Sequence, residues 1–216
     1  MAALVSSVLD AFEWIEHGFG TRDTVLLQEG MASLKQVHSA MVLRAIHAGC
    51  VGEGDGVVSS TPGVAVSVRT ADCFPILLAD VRGRVVAAVH AGWRGTAARI
   101  VPAALSLMSA GSGTRPADIY AAIGPGIGKC CYEVGEDVGR QFGLETTGHV
   151  DLGEANRDQL IEAGVPVAQI GRVAGCTCCD SAKFHSYRRD KDTAGRMVSF
   201  IRIRPTVDDL SELKRR

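Results

Sequence analysis

The chain has 216 residues, 46% of them hydrophobic and 22% charged, which is enough apolar material to bury a core without disulfides. Its 23 Lys and Arg stand against 24 Asp and Glu for a formal net charge of -1, so no general positive field exists to hold a polyanion, and no nucleic acid partner is expected. No apolar run approaches the ~20 residues of a membrane span, and Asp10, Glu13 and Glu16 interrupt the opening segment where a signal peptide needs an apolar stretch, so a cytoplasmic protein without membrane contact is expected, a monomer or weak homo-oligomer.

Taken in chain order, β-branched apolar runs at residues 41–46, 64–68, 75–78, 85–89, 119–123, 169–173 and 196–203 predict strands. Asp80-Val-Arg-Gly83 predicts a hairpin turn that makes its flanking strands antiparallel. Residues 96–110 place Ile100, Val101, Ala104, Leu105 and Met108 on one helical face ahead of Gly111. Pro102 lies inside that helix, which therefore either kinks there or begins nearer Val101. A shorter helix is predicted over 136–142, and another over 154–163 with Leu160 and Ile161 inward and Gly164 as its stop. With no internal repeat and no linker, residues 1–204 read as one domain and 205–216 as a loose charged tail. Hairpins interspersed with helices predict an α+β fold of mixed β-sheets layered with flanking helices.

Seven cysteines in a chain expected in a reducing compartment read as metal ligands or reactive thiols rather than a disulfide framework. His38 in Lys35-Gln-Val-His38, Cys73 in Thr70-Ala-Asp-Cys73, and His90 in Val89-His90-Ala-Gly-Trp-Arg-Gly95 each stand at the end of a strand-like run. Two imidazoles and a thiolate suit Zn2+ and leave a fourth position for water, whose pKa zinc lowers to roughly 7. Spacing alone also fits strand-end histidines and a small buried thiol, which is the simpler reading.

Cys176-Thr-Cys178-Cys179-Asp180 also has metal-like spacing, with only Cys130 and Cys131 available to complete a four-cysteine site; ordinary buried thiols are the simpler expectation. Gly124-Pro-Gly126-Ile-Gly128-Lys129 lacks the ending of a phosphate loop, which leaves it as a turn that could approach a small substrate. Arg188 and Arg189 offer forked donors for a phosphate or carboxylate, or else surface charge. His17, His47, His149 and His185 are expected at solvent or core polar positions, and no serine-hydrolase elbow is present.

Thr70-Ala-Asp-Cys73-Phe-Pro-Ile, Val89-His90-Ala-Gly-Trp-Arg-Gly95, Gly124-Pro-Gly-Ile-Gly128 followed by Cys131-Tyr-Glu-Val134, and Ser186-Tyr-Arg-Arg-Asp190 followed by Gly195-Arg-Met197 together resemble the YfiH family, also called the laccase-domain or polyphenol-oxidase-like family. The similarity runs in order from about His17 to Ile203. It implies a single α+β domain with sheets sandwiched between helices, similar in outline to the catalytic domain of cytotoxic necrotising factor toxins. It also implies a metal, zinc or alternatively copper, held by His38, Cys73 and His90.

The activities that the resemblance implies are zinc-dependent phosphorolysis of purine nucleosides (adenosine, inosine, guanosine and methylthioadenosine), deamination of adenosine, and copper-dependent oxidation of phenols. Phosphorolysis requires cations beside the metal; Arg94, Arg188, Arg189 and Arg22 are the candidates for phosphate or substrate, and Cys131 is expected to line the pocket. A metal-free hydrolase with Cys73 as nucleophile and His90 as base is an alternative, as is a degenerate domain that binds a nucleoside without turnover. The chain departs from the family between Arg22 and Lys35, where residues 23–34 replace Gly-Gly-Val-Ser, Leu-Asn-Leu-Gly and Asn-Arg segments; the missing pocket wall would alter or abolish nucleoside recognition.

Overall fold

Strand-forming runs and turn residues alternate along most of the chain, and the computed structural model, which describes residues 3–24, 30–110, 112–206 and 209, assembles them into layered sheets. In chain order the elements are α1 (Ser7–Asp10), β1 (Ile15–Phe19), β2 (Met31–Lys35), β3 (Val42–Arg44), β4 (Gly49–Glu53), β5 (Gly56–Ser59), β6 (Ala65–Thr70), β7 (Phe74–Asp80), β8 (Val85–Ala91), α2 (Trp93–Ala97) and α3 (Ile100–Ser109). They continue with β9 (Ile119–Ile123), β10 (Glu133–Val134), α4 (Glu136–Gly139), β11 (Gly148–His149), α5 (Leu152–Glu162), β12 (Ile170–Arg172), α6 (Tyr187–Asp190) and β13 (Met197–Ile203). The expected tail at 205–216 and Gly111 fall almost wholly outside the described residues.

Besides a small antiparallel β10–β11 pair, a five-stranded sheet has the order β1-β13-β6-β2-β4 and a six-stranded sheet the order β12-β9-β7-β8-β5-β3; the two larger sheets mix parallel and antiparallel pairs. Val57, Leu77, Ala79, Val86, Ala88 and Ala122 of the six-stranded sheet meet Ile15, Phe19, Val66, Val68, Ile201 and Ile203 of the other in one buried cluster. The opposite face of the six-stranded sheet, with Ile76, Leu78, Ala87, Val89 and Ala121, packs on Ile100, Val101, Ala104 and Met108 of α3 and Leu160 of α5. The layers therefore run sheet, sheet, helices, which makes a single α+β domain. Covered on both faces, β7 and β8 are buried along their whole length, which is why they read as continuous apolar runs.

Asp80 does form the hairpin corner, accepting from the amides of Arg82 and Gly83, and β7 and β8 are antiparallel in register from Phe74↔Ala91 to Asp80↔Val85. The helix expected over 96–110 is two: α2 and α3 are separated at Arg99, whose φ of 61° is left-handed. Pro102 is thus the third residue of α3, where its missing N–H would have had no helical partner anyway. The helix expected over 136–142 is α4 continued by a 3-10 turn, Arg140–Phe142.

Candidate functional site

Sheet register brings the candidate ligands to one end of the fold. In the β7–β8 ladder Phe74 pairs with Ala91 and Pro75 with His90, so Cys73, just before β7, lies beside His90 at the end of β8. Gly56 pairs with Val89 in the β5–β8 ladder, which sets Asp55 beside His90, and the His90 amide donates to the Asp55 carbonyl at 2.7 Å. His38 enters from the turn after β2 with a φ of 60°.

Asp55 fixes both histidines. Its carboxylate accepts from three successive backbone amides, Val37 (3.3 Å), His38 (3.0 Å) and Ser39 (2.6 Å), and from the Ser39 hydroxyl (2.8 Å), a nest that holds the left-handed turn at His38. The same carboxylate accepts from Nδ1 of His90 at 2.8 Å, which leaves Nε2 as the ring nitrogen turned to Cys73. Asp55 is fully buried and His90 only 4% exposed, so this pair is shielded from solvent.

The ligand atoms of His38, Cys73 and His90 all lie within 4.8 Å of one another, and the two imidazole rings meet edge to face with centroids 4.9 Å apart. A Cβ on Gly92 would stand 2.9 Å from the Cys73 sulfur and 3.3 Å from a His38 ring carbon, so only glycine lets the β8–α2 turn pass this close. Three convergent donors, one imidazole oriented by a carboxylate, and a hydrogen-only neighbour fit a zinc ion well.

Charges within the cluster reinforce one another. Burial alone would drive His90 toward neutrality, but Asp55 and Cys73 outweigh it and raise its pKa to about 9. Burial opposes ionisation of Cys73, yet hydrogen bonds from His38 and His90 bring its pKa down to about 7. Asp55 falls to about 2: burial opposes this, and the contacts with His90 and Ser39 prevail.

A cleft of about 920 Å³ opens on this cluster. Arg69, Arg94, Arg188, Lys191 and Arg196 line it with positive charge, and Trp93, Tyr132 and Tyr187 with aromatic surface. Arg94 lies over the Trp93 ring at 4.5 Å and Arg188 over Tyr132 at 5.4 Å. Burial, with the Cys73 charge second, pushes the Tyr132 hydroxyl up to about 12, so it keeps its proton. Arg69, Tyr132, Tyr187, Lys191, Arg196 and Asp55 are functional candidates that the sequence did not single out. For Asp55 the signal was faint, since Gly54-Asp-Gly56 reads as a turn.

Of the expected substrate residues, Arg94 and Arg188 reach the cleft and three others do not. Arg189 instead donates to the carbonyls of Thr177, Cys178 and Phe184 and pairs with Asp190, tying the 176–190 segment together. Arg22 makes a 3.7 Å ion pair with the same Asp190. Cys131 does not line the cleft and stands instead among other cysteines, at the turn closed by its amide on the Gly128 carbonyl. Ile127 lines the cleft, but Gly126 has a structural reason: its Cβ would stand 2.7 Å from the Phe74 ring.

Asp72, at a φ of 87°, links these segments: its carboxylate accepts from the Thr177 hydroxyl at 2.7 Å and the Arg188 amide at 2.6 Å. The expectation of ordinary buried thiols is also corrected. Cys130, Cys131, Cys176 and Cys179 converge, with their sulfurs within 4.8 Å of one another, because a bridge between Gly126 and Cys176 joins their two loops. Cys178 is not part of that group.

Residues 17–204 match the family model described as multi-copper polyphenol oxidoreductase laccase. The chain belongs to this family. A purine nucleoside phosphorylase of Deinococcus radiodurans is 45% identical over 186 residues, 80% of this chain and 70% of that one. Adenosine deaminase RL5, from an unknown prokaryotic organism, is 39% identical over 161 residues, 68% of this chain and 61% of that one. The chain therefore spans only three fifths to seven tenths of these curated relatives. Among solved structures, YlmD from Geobacillus stearothermophilus superposes with a TM-score of 0.83 at 30% identity, over 90% of this chain and 93% of that one. The laccase-domain membership fits the metal-ligand cluster, and among the described residues no helix is long and apolar enough to cross a membrane.

Proposed function

We propose that this chain splits purine nucleosides with phosphate, and deaminates adenosine, in the cleft above His38, Cys73 and His90, with those three residues holding zinc. Cationic side chains and aromatic faces meet there beside a two-histidine, one-cysteine donor set, and that combination carries the reading. Relatives named for phosphorolysis and for adenosine deamination support it. When bound, zinc supplies positive charge and Lewis-acid polarisation next to the reacting bond.

In phosphorolysis a phosphate oxygen bonds to C1′ of the ribose while the C1′–N9 bond breaks, its electron pair leaving with the purine. Arg94 and Arg69 make no side-chain hydrogen bond or ion pair with any described residue, so their guanidinium donors are available to a phosphate. Trp93, Tyr132 and Tyr187 offer ring faces to a planar base. The protonated Tyr132 hydroxyl is a donor toward a purine nitrogen or ribose oxygen. Asp55 acts through the histidines, holding both in place.

Chromatography of zinc-loaded protein incubated with adenosine and phosphate tests this directly. Adenine with equimolar ribose 1-phosphate, accompanied by inosine, is expected, and both are expected to vanish in His90→Ala. Neither product from loaded, folded protein overturns the reading. Copper-dependent phenol oxidation is less favoured, because among the described residues no second histidine cluster stands beside this one to share four electrons. The Cys73 sulfur close beside the His90 ring, with Asp55 bonded to the other side of that imidazole, favours one second reading, a metal-free thiolate–imidazolium hydrolase. Activity that survives exhaustive chelation but not thiol alkylation would select it.

A further inference from the structure

We propose that Cys130, Cys131, Cys176 and Cys179 form a second metal site, a four-thiolate structural zinc site separate from the His38, Cys73 and His90 cluster. Four sulfurs bound at ~2.3 Å around a tetrahedral zinc lie about 3.75 Å apart. Here Cys130 Sγ stands 3.7 Å from Cys131 Sγ, 3.7 Å from Cys176 Sγ and 3.6 Å from Cys179 Sγ, and Cys131 Sγ stands 3.3 Å from Cys179 Sγ. All four sulfurs fall within 4.8 Å of one another. Those separations are far above the ~2.05 Å of a disulfide, and four mutually adjacent sulfurs exceed what two independent disulfides need.

The surroundings suit thiolates. The Gly128 amide donates to Cys176 Sγ at 3.2 Å, the kind of N–H to sulfur contact that stabilises a metal-bound thiolate. Gly128 also makes room for the group, since a Cβ there would stand 3.2 Å from Cys130 Sγ and 3.3 Å from Cys176 Sγ. Cys130 and Cys179 are exposed, so an ion can enter from solvent. Binding Zn2+ displaces the thiol protons to solvent and involves no redox change.

The site would clamp two loops that carry the cleft. Tyr132 follows Cys131 directly, and Arg188 donates to the carbonyls of Cys131 and Glu133. On the other loop, Arg189 holds the carbonyls of Thr177 and Cys178. One metal at the cysteines therefore joins the segments that present Tyr132 and Arg188.

Zinc counting by mass spectrometry, after loading with Zn2+ alone under reducing conditions and desalting, tests the proposal. Two zinc per chain are expected in the wild type, one in Cys179→Ser, and one in the double variant His38→Ala/His90→Ala. One zinc in the wild type, none in Cys179→Ser and one in the histidine variant would leave the cysteine site standing while removing the other. Equal zinc in the wild type and Cys179→Ser overturns the proposal. If Cys179→Ser does not fold, Co2+ substitution of the His38→Ala/His90→Ala variant decides it: an all-thiolate tetrahedral spectrum supports the site, and its absence overturns it. Native mass analysis showing Cys130, Cys131, Cys176 and Cys179 as two disulfides after purification under reducing conditions also overturns it.

Discussion

Asp55 Oδ1 lies 2.8 Å from Nδ1 of His90 and also accepts the backbone amide of His38, so one buried carboxylate orients two of the three candidate ligands. Asp55→Asn keeps the shape but removes the charge and weakens the selection of the His90 tautomer. Metal affinity is expected to fall about 10- to 100-fold, as is usual when a carboxylate behind a ligating histidine is lost. Competition with a chromogenic zinc chelator measures this, and unchanged affinity would show that the carboxylate does not tune the site.

Gly92→Ala would place a methyl 2.9 Å from the Cys73 sulfur and 3.3 Å from the His38 ring. The change is expected to cost about 1–3 kcal/mol of stability by overpacking and to displace the ligands enough to lose the metal. Thermal unfolding and a zinc count on the same sample check it; full zinc retention would mean that the turn yields without moving Cys73.

Arg94 is in the cleft with only the Trp93 ring as partner among described residues, so its expected role is phosphate binding. A charge-assisted hydrogen bond contributes about 1.5–3 kcal/mol, so Arg94→Ala is expected to raise the KM for phosphate by about tenfold or more. Deamination, which uses no phosphate, is expected to change much less. Equal losses in the two reactions would assign Arg94 to the nucleoside or to structure.

His17 gives a pH signature away from the site. It is buried, and its Nε2 accepts the Ser6 amide at 2.9 Å; burial lowers its pKa, although the Asp10 carboxylate pulls the other way. As pH falls below about 6.5, the unfolded chain binds a proton that the native chain resists, so stability falls with pH, by at most about 1.4 kcal/mol per unit from this residue. Above that pH its contribution is fully present. Denaturant titrations from pH 7.5 to 5 are expected to show a shallower loss for His17→Gln, and identical slopes would contradict the assignment.

The parts of the fold legible in the sequence were those whose two environments agree. β7 and β8 lie between two apolar layers and read as unbroken hydrophobic runs, and β9 matched its expected span at 119–123. By contrast β1, β2, β4 and β5 interrupt their apolar residues with Gly, Glu, His, Ser or Lys, so their strand character comes from pairing rather than local propensity. His38, Cys73 and His90 stood out through the family resemblance, since their spacing alone favoured strand-end histidines and a buried thiol; it is the fold that brings the three side chains together.

Asp55 was not legible, because its partner His90 is 35 positions away and only the β5–β8 register brings them together. The adjacent Arg188 and Arg189 look equivalent in sequence, yet α6 puts Arg188 in the cleft wall, where it also holds the carbonyls of Cys131 and Glu133, and turns Arg189 to the carbonyls of Thr177, Cys178 and Phe184 outside it. The cysteines separated for a similar reason: two loops 46 positions apart meet only through the Gly126–Cys176 bridge.

The proposed role of a metal held by His38, Cys73 and His90 is to make the cleft a nucleoside-cleaving site. Its most direct test is to strip the protein of metal, titrate zinc back, and follow adenine release from adenosine with phosphate. Activity is expected to be absent in the stripped protein and to return as zinc fills the trio, with no recovery in His38→Ala, Cys73→Ala or His90→Ala. Full activity in the stripped protein, or equal recovery in those three variants, would contradict it.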